Sequence, residues 1–151
     1  MADELFHIRD AREDDLEYCS SYAFAEGMGG IDSTENLRVA VDDIDEVVGF
    51  LRLTFNETGV AHVNPVVTYP TWRGVGVGRA LVEDALKRQG ELRLVSRGSS
   101  LAFYEALGFV PVDWADIRDE IVAECDECEL FDECGPVPMG KKLQRSSGSV
   151  D

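Results

Sequence analysis

A glycine loop between a predicted strand and a predicted helix is the part of this sequence best suited to chemistry. An apolar run from Val60 to Tyr69 precedes Arg73-Gly74-Val75-Gly76-Val77-Gly78, and a helical pattern over residues 79–89 follows at once. This order gathers free backbone N–H groups around an anion, and glycine lets a ligand approach the backbone closely. Arg73 and Arg79 add positive charge on either side. The loop is therefore predicted to bind a phosphate or pyrophosphate group.

Two common phosphate motifs do not describe this loop. The lysine and Ser/Thr pair of a nucleoside-triphosphate P-loop does not follow Gly78. The dinucleotide fingerprint needs a different glycine spacing and an acidic residue at the end of a second strand, whereas the next predicted strand ends at Ser96. A plain strand-to-helix turn is the structural alternative. Three glycines in five residues beside two arginines exceed what such a turn requires.

The loop resembles the acetyl-CoA-binding signature of the GCN5-related N-acetyltransferase (GNAT) superfamily. In that pattern Arg or Gln is followed by two residues, Gly, one residue, and Gly or Ala, and Arg73, Gly76 and Gly78 fill these positions. A second block, Phe103-Tyr104-Glu105-Ala106-Leu107-Gly108-Phe109, resembles the later Tyr-Glu-x-x-Gly-Phe helix. The asparagine often found seven residues before that tyrosine is Arg97 here. The resemblance is specific from about residue 60 to 112 and follows the element order over about 5–143.

The resemblance implies an α+β fold with a central mixed, mostly antiparallel sheet of about seven strands and helices on both faces. Residue patterns agree with this layout: they predict strands over 6–9, 37–41, 47–55, 60–69, 91–96, 109–114 and 137–143, and helices from Asp10, over 79–89 and over 99–107. In the first helix Cys19 and Phe24 fall on the predicted buried stripe. Residues 1–143 are interpreted as one acetyltransferase domain, with a cysteine-containing insertion at 115–136 and a disordered tail at 144–151.

The resemblance also implies how acetyl-CoA would bind. In GNAT proteins a bulge splays the fourth strand from the next strand, and the pantetheine arm pairs with the exposed backbone. The pyrophosphate then meets the N–H groups at the positive end of the following helix. A backbone N–H near Val67 would stabilise the oxyanion. The predicted cofactor-binding residues are Val66, Val67, Thr68, Arg73, Gly74, Val75, Gly76, Val77, Gly78 and Arg79.

Two side chains are candidates for proton transfer. Tyr104 aligns with the tyrosine that commonly protonates the departing thiolate in the family, and its alternative role is aromatic packing. His62 lies eleven residues before Arg73, where several family members place a base. A histidine titrates near neutral pH, so it could accept a proton from an amine directly or through water. Its alternative is a half-buried, hydrogen-bonded side chain. Glu26 and Asp32 could attract a cationic substrate.

The segment Cys125-Asp-Glu-Cys128-Glu-Leu-Phe-Asp-Glu-Cys134 is a second unusual feature. Cys125, Cys128 and Cys134 can supply three thiolates to a structural zinc ion, which is the interpretation we favour. Disulfides and free thiols are alternatives, and an iron–sulfur cluster usually requires four cysteines. The fourth cysteine, Cys19, is expected in the core.

The acidic composition argues against a protein that binds nucleic acid or anionic membranes through its overall surface. Thirty acidic residues against fourteen lysines and arginines give a formal net charge of −16. Such a surface repels nucleic acid and anionic membranes. It is typical of proteins from salt-loving archaea, the interpretation we favour, which predicts poor folding in dilute buffer. The alternative is an ordinary acidic protein. The chain has neither a long apolar run nor a signal-like beginning, so a cytoplasmic protein is expected. Homodimers are frequent in the family.

The resemblance to the GNAT superfamily implies an N-acetyltransferase. It would move acetyl from acetyl-CoA to a primary amine by direct attack in a ternary complex, with a small molecule or a protein N-terminus as the acceptor. The alternative is a non-catalytic acetyl-CoA-binding or metal-responsive regulatory module. Neither the acceptor nor the oligomeric state follows from the sequence.

Overall fold

The computed structural model describes residues 5–25, 31–55, 59–96, 98–117 and 135–143. These residues include seven strands: β1 (His7–Asp10), β2 (Leu37–Val41), β3 (Val47–Phe55), β4 (Ala61–Thr68), β5 (Glu91–Ser96), β6 (Val110–Pro111) and β7 (Val137–Lys142). They also include three α-helices: α1 (Leu16–Ala25), α2 (Val77–Gln89) and α3 (Leu101–Ala106). The predicted tail at 144–151 and residues 118–134 of the predicted insertion lie outside the described residues.

Hydrogen-bonded strand neighbours follow the order β1-β2-β3-β4-β5-β7-β6. The pairs β1–β2, β2–β3, β5–β7 and β6–β7 are antiparallel, and the pair β4–β5 is parallel. The predicted α+β class and the mixed, mostly antiparallel sheet of seven strands are therefore confirmed. The chain divides into two compact units, one from Met1–Thr54 and Val63–Asp84 and the other from Phe55–His62 and Ala85–Asp151. We call them unit 1 and unit 2.

Unit 1 is built around the apolar strands β2 and β3. Val39, Val41 and Phe50 are fully buried, and Cys19 and Ala23 of α1 join the same cluster. The core position expected for Cys19 is confirmed. Phe24 was expected on the buried face of α1, but this prediction is wrong because its side chain is 64% exposed. Its neighbour Ala23 takes the inward position, and consecutive helical residues point about 100° apart.

The β2–β3 pair contains an irregularity that brings the end of β4 close to β3. Ala40 pairs with Gly49 and Val41 pairs with Val47, so Val48 is an extra residue in β3. The carbonyl oxygen of Val48 accepts a hydrogen bond from the Tyr69 N–H at 2.8 Å. This bond fixes the chain just where it leaves β4 and enters the glycine loop.

Unit 2 rests on the pairing of β5 with β7, which runs over the whole length of both strands. Leu92, Leu94 and Met139 are fully buried within it. Lys141 of β7 donates from Nζ to the Leu107 carbonyl oxygen at 2.7 Å, just beyond the last residue of α3. A cation at this position satisfies an orphan carbonyl and complements the negative end of the helix.

Several predicted boundaries differ from the structure: those of β1, β4 and β7 by one residue, and the following three by two residues or more. Helix α2 begins at Val77, two residues earlier than predicted, so Gly78 lies inside the helix. Helix α3 begins at Leu101 and is preceded by a 3₁₀ turn at Gly98–Ser100. Strand β6 is limited to Val110–Pro111. Proline has no N–H for the ladder, and the chain then forms a 3₁₀ turn in which the Asp116 N–H bonds the Asp113 carbonyl oxygen.

A buried carboxylate holds the start of α1 against β1. Asp15 is 5% exposed and accepts hydrogen bonds from Arg9 Nη1 at 2.7 Å and from the Arg12 N–H at 2.7 Å. Burial alone would raise the pKa of Asp15, but the hydrogen bonds from Arg9 and Arg12 outweigh it and hold the pKa below its ordinary value. The helix start predicted at Asp10 is corrected to this Arg12–Asp15 arrangement.

We expect Asp15→Asn to lower the free energy of unfolding at pH 7 by about 2 kcal/mol, because a charge-assisted bond to a buried acceptor is weakened. Because the pKa of Asp15 is depressed in the folded protein, its stabilisation is present above the unfolded pKa of about 3.9 and is lost as the pH falls through the folded value. The variant should therefore be least different from wild type in acid. Denaturant titrations at pH 7 and pH 3 measure this, with the exposed neighbour substitution Asp14→Asn as the control. Equal losses in both variants at pH 7 would contradict the prediction.

Candidate functional site

The glycine loop joins β4 to α2 within unit 1. After β4 ends at Thr68, residues Pro70–Trp72 form a 3₁₀ turn and the chain runs through an exposed loop into α2. Gly74 and Gly76 have φ angles of 90° and 91°. Residues with a Cβ rarely adopt this left-handed region, so both glycines are required by the path of the loop.

The start of α2 offers unsatisfied donors to an anion. The first helical hydrogen bond runs from the Ala80 N–H to the Gly76 carbonyl oxygen at 2.9 Å. Within the described part of the chain, no such bond is made by the N–H groups of Val77, Gly78 and Arg79. The first turn of α2 contains no acidic residue to occupy them. These donors, with the positive end of the helix dipole, fit a phosphate or pyrophosphate group.

Both arginines of the motif lie beside the loop and are exposed. Arg73 donates from Nε to the Thr68 carbonyl oxygen at 3.4 Å, and Arg79 Nε lies 3.3 Å from Glu83 Oε2 one helical turn along α2. An exposed i,i+4 ion pair of this kind contributes only about 0.3–0.5 kcal/mol. Arg79 can therefore leave Glu83 and bind a more strongly charged anion with little loss of stabilising free energy.

The predicted pantetheine-binding residues occupy the second half of β4. Val67 is buried, whereas Val66 and Thr68 are partly exposed. The parallel ladder between β4 and β5 consists of Ala61 with Leu92 and His62 with Arg93, at the beginning of β4. These pairs belong to unit 2, and the Val66–Thr68 segment belongs to unit 1.

His62 lies in the core of unit 2. Its side chain is 0% exposed, and its Nδ1 atom is 3.0 Å from the Val60 carbonyl oxygen. A histidine in this position meets an acceptor amine only through intervening groups or after a local rearrangement. Its function as a base stays a prediction.

Tyr104 is held inside unit 2 by aromatic contacts. Its ring centroid lies 5.0 Å from that of Phe103 and 5.6 Å from that of Phe109, both in edge-to-face geometry. The residue is 8% exposed, and burial raises the pKa of its phenol to about 12. The phenol is therefore protonated at neutral pH and able to donate a hydrogen bond. Its function as an acid stays a prediction.

The predicted zinc ligands Cys125, Cys128 and Cys134 lie outside the described residues, as do Glu26 and Arg97. Asp32 is described and exposed. Burial raises the pKa of the Cys19 thiol to about 12, so this cysteine is protonated and unsuited to bind metal. Among residues 5–25, 31–55, 59–96, 98–117 and 135–143, no group of side chains is arranged to hold a metal ion. Within the same ranges, no helix combines the length and apolar character needed to cross a bilayer.

Two residues near these sites were missed from the sequence. Gly49 of β3 faces the Val67 carbonyl oxygen and the Val77 side chain, so it lies next to the glycine loop elements. A glycine inside a predicted strand often marks a place where another backbone segment approaches closely, so its position in the predicted strand 47–55 was the signal that could have identified it. Lys141, which caps the helix carrying Tyr104, left no comparable clue because its partner is 34 residues away.

Comparison with known proteins identifies the family. Residues 33–111 match the acetyltransferase (GNAT) domain. The chain is 34% identical over 86 residues to the peptidyl-lysine N-acetyltransferase YjaB of Escherichia coli, and the match covers 55% of either chain. It is 36% identical over 63 residues to a glucosamine 6-phosphate N-acetyltransferase of Trypanosoma brucei brucei, covering 38% of this chain and 43% of that protein. The chain thus spans about half the length of the curated relatives it matches.

The fold has similar counterparts among solved structures. The crystal structure of Rv2747 from Mycobacterium tuberculosis in complex with CoA superposes with a TM-score of 0.73 at 17% identity, covering 91% of this chain and 99% of the other. At this identity the likeness shows the shared fold alone. The family match, in contrast, includes β2 to β5, the glycine loop, α2 and the Tyr104 helix. On the strength of this match, which covers residues 33–111, the chain belongs to the GNAT acetyltransferase family.

Proposed function

We propose that this protein is an N-acetyltransferase that uses acetyl-CoA as its acetyl donor. The observation that carries the proposal is the structure at the start of α2. The first N–H groups of this helix make no backbone hydrogen bond within the described residues, and the preceding loop has positive φ angles at Gly74 and Gly76. An exposed arginine lies on either side of this loop. This is a concentrated anion site in a chain of net charge −16. A site of that kind can hold a specific anionic ligand against an otherwise repulsive protein field.

The pyrophosphate of CoA would bind the N–H groups from Val75 to Arg79, and Arg73 would add a charged contact. The pantetheine arm would pair with the backbone of Val66, Val67 and Thr68. Two of these residues, Val66 and Thr68, are partly exposed. A backbone N–H near Val67 would stabilise the oxyanion that forms on the acetyl carbonyl.

The reaction joins the amine nitrogen to the acetyl carbon and breaks the carbon–sulfur bond. One proton leaves the nitrogen and one proton ends on the sulfur of CoA, so no other reactant is needed. Tyr104, protonated because the pKa of its phenol is about 12, would donate a hydrogen bond to the departing sulfur. A thiol has a reference pKa of about 8.5, so the phenol is the weaker acid. We therefore expect Tyr104 to stabilise the thiolate mainly as a donor, while the transferred proton originates on the amine.

The proposed acceptor is a primary amine on a small molecule or at a protein N-terminus. The two curated relatives are named for different acceptors, a peptidyl lysine and glucosamine 6-phosphate, so both classes belong in a test. His62 would act as the base through intervening groups, because its ring is fully buried. Asp32, which is exposed, would attract a cationic acceptor.

One observation favours a second candidate, a non-catalytic acetyl-CoA-binding or regulatory module. Both side chains proposed for proton transfer are buried, His62 at 0% and Tyr104 at 8% exposure. A module that only binds acetyl-CoA would need the glycine loop but neither of these groups. The two candidates therefore agree on cofactor binding and differ on turnover.

The deciding experiment measures acetyl-CoA-dependent thiol release in molar KCl. The acceptor panel comprises amino acids, polyamines, aminoglycosides, hexosamine phosphates, N-terminal peptides and lysine-containing peptides. Turnover above the hydrolysis background with one class would support the enzyme and identify its acceptor. Folded protein that binds acetyl-CoA but releases no thiol with any acceptor would favour the binding module, and absence of binding would overturn both.

We also propose that the chain is adapted to high salt and that it functions in the cytoplasm. Thirty acidic residues against fourteen basic ones would repel one another in dilute buffer. We expect the melting temperature to rise as KCl increases from millimolar to molar concentration, when followed by circular dichroism. A melting temperature independent of salt would contradict the adaptation.

The segment from Cys125 to Cys134 is predicted to bind zinc. We expect purified protein to contain about one zinc ion per chain, bound by Cys125, Cys128 and Cys134 with one further ligand. Cys125→Ser should lose the metal, whereas Cys19→Ser should retain it because Cys19 is buried in unit 1. Elemental analysis of both variants after dialysis measures this. Metal-free wild-type protein, purified under reducing conditions without chelator, would contradict the zinc assignment.

A further inference from the structure

Gly49 is a buried glycine in β3, and neighbouring atoms already fill the space that a side chain would occupy. It lies in β3 opposite Ala40, and its φ angle is not in the left-handed region. A Cβ atom placed on it would come within 2.8 Å of Val77 Cγ1 and 2.9 Å of the Val67 carbonyl oxygen. Contacts this short do not occur between real atoms of these kinds, so any side chain here must displace a neighbour.

Neither neighbour can move away easily. The Val67 oxygen belongs to the backbone of β4, so it shifts only with the strand. Val77 is 1% exposed, and a β-branched side chain in a helix has one strongly preferred rotamer. Leu81 Cδ1, at 3.4 Å from the same position, closes the next turn of α2. The displacement would therefore pass into β4 and into the first turn of α2.

Farther along α2, an ion pair with β2 holds the helix at Asp84. Arg38 of β2 donates from Nε to Asp84 Oδ2 at 3.2 Å and from Nη1 to Asp10 Oδ1 at 2.9 Å. Asp84 lies seven residues, about two turns, after Val77. Because α2 is held there, a push at Val77 would tilt its first turn instead of translating the whole helix. The N–H groups of that first turn are the ones left for an anion.

We propose that Gly49 is a positioning residue for cofactor binding: by lacking a side chain it lets β4 and the first turn of α2 approach closely enough to align their backbone groups on acetyl-CoA. This inference rests on the proposed function of the loop. Binding sites need geometry held within about 0.5 Å, and relief of the contact at Gly49 requires a shift of about that size. The effect should therefore appear in cofactor affinity.

Isothermal titration of acetyl-CoA against Gly49→Ala tests the proposal. We expect the Kd to rise about 10-fold or more, with KM for acetyl-CoA rising in parallel. The matched control is Gly140→Ala, another buried strand glycine without a left-handed φ, in unit 2. Its added Cβ would meet Val112 Cγ1 at 3.3 Å, a milder contact, so acetyl-CoA affinity should be retained.

A second variant keeps the test decisive if Gly49→Ala folds poorly. Gly49→Ala combined with Val77→Ala removes the 2.8 Å contact, and it should bind acetyl-CoA more tightly than Gly49→Ala. Equal affinity of wild type and Gly49→Ala would overturn the inference while leaving the proposed function intact. Wild-type protein that does not bind acetyl-CoA would instead overturn the proposed function.

Discussion

Replacing Tyr104 by phenylalanine is expected to lower kcat by about 100-fold, because removing one hydrogen-bond donor to a charge that develops in the transition state costs roughly 10²–10³ in kcat. KM for acetyl-CoA should change less than about 2-fold, since the proposed cofactor contacts are made by backbone groups and arginines of the loop. Stability should be nearly unchanged, because phenylalanine keeps the edge-to-face contacts with Phe103 and Phe109. Steady-state kinetics with the acceptor found in the panel measures the two constants separately.

The pH profile tests whether the phenol of Tyr104 stays protonated during turnover, and the Tyr104→Phe variant separates a hydrogen-bond donor from a packing residue. The pKa of Tyr104 is about 12, so its donating form is present below that pH and is lost only as the pH rises through it. Wild-type kcat should therefore show no alkaline decline between pH 7 and pH 10. Tyr18→Phe, at an exposed tyrosine of α1, provides the control and should retain wild-type kcat. Undiminished turnover in Tyr104→Phe would remove Tyr104 from the mechanism and leave it an aromatic packing role.

Gly76→Val is expected to raise KM for acetyl-CoA by about 30-fold, which corresponds to the loss of about 2 kcal/mol of charge-assisted hydrogen bonding. A β-branched residue does not adopt the φ angle of 91° found at Gly76, so the loop must take another path. The N–H groups just after it would then no longer point at one anion. Titration of the binding of acetyl-CoA and of desulfo-CoA, which shares the pyrophosphate, measures the loss.

The control for Gly76 is a glycine with the same backbone requirement outside the loop. Gly59 has a φ angle of 83°, and a Cβ atom at either glycine would meet nothing within 4 Å. Gly59→Val should therefore destabilise the fold by a similar amount, about 1–2 kcal/mol, without changing cofactor affinity. If both variants lost acetyl-CoA binding equally, the effect would be one of general stability, and the loop would not be the pyrophosphate site.

Much of the fold was predictable because it depends on local patterns. The observed bounds of β2, β3 and β5 equal the predicted ones, since apolar runs bounded by polar turns specify strands without reference to distant residues. The predictions failed where a long-range contact outweighs a local preference. Helix α2 begins at Val77 because its side chain is buried close to Gly49, a residue 28 positions earlier. Phe24 is exposed because Ala23 occupies the inward position on α1.

The amino-acid sequence by itself determined the family and the glycine loop, because a backbone that needs positive φ at Gly74 and Gly76 can be built by few other residues. Only the tertiary structure decided the surroundings of the reactive side chains. His62 is fully buried, Tyr104 is enclosed by aromatic rings, and Gly49 is pressed against β4 and α2. These properties come from contacts between residues far apart in the chain, which leave no regular spacing in the sequence.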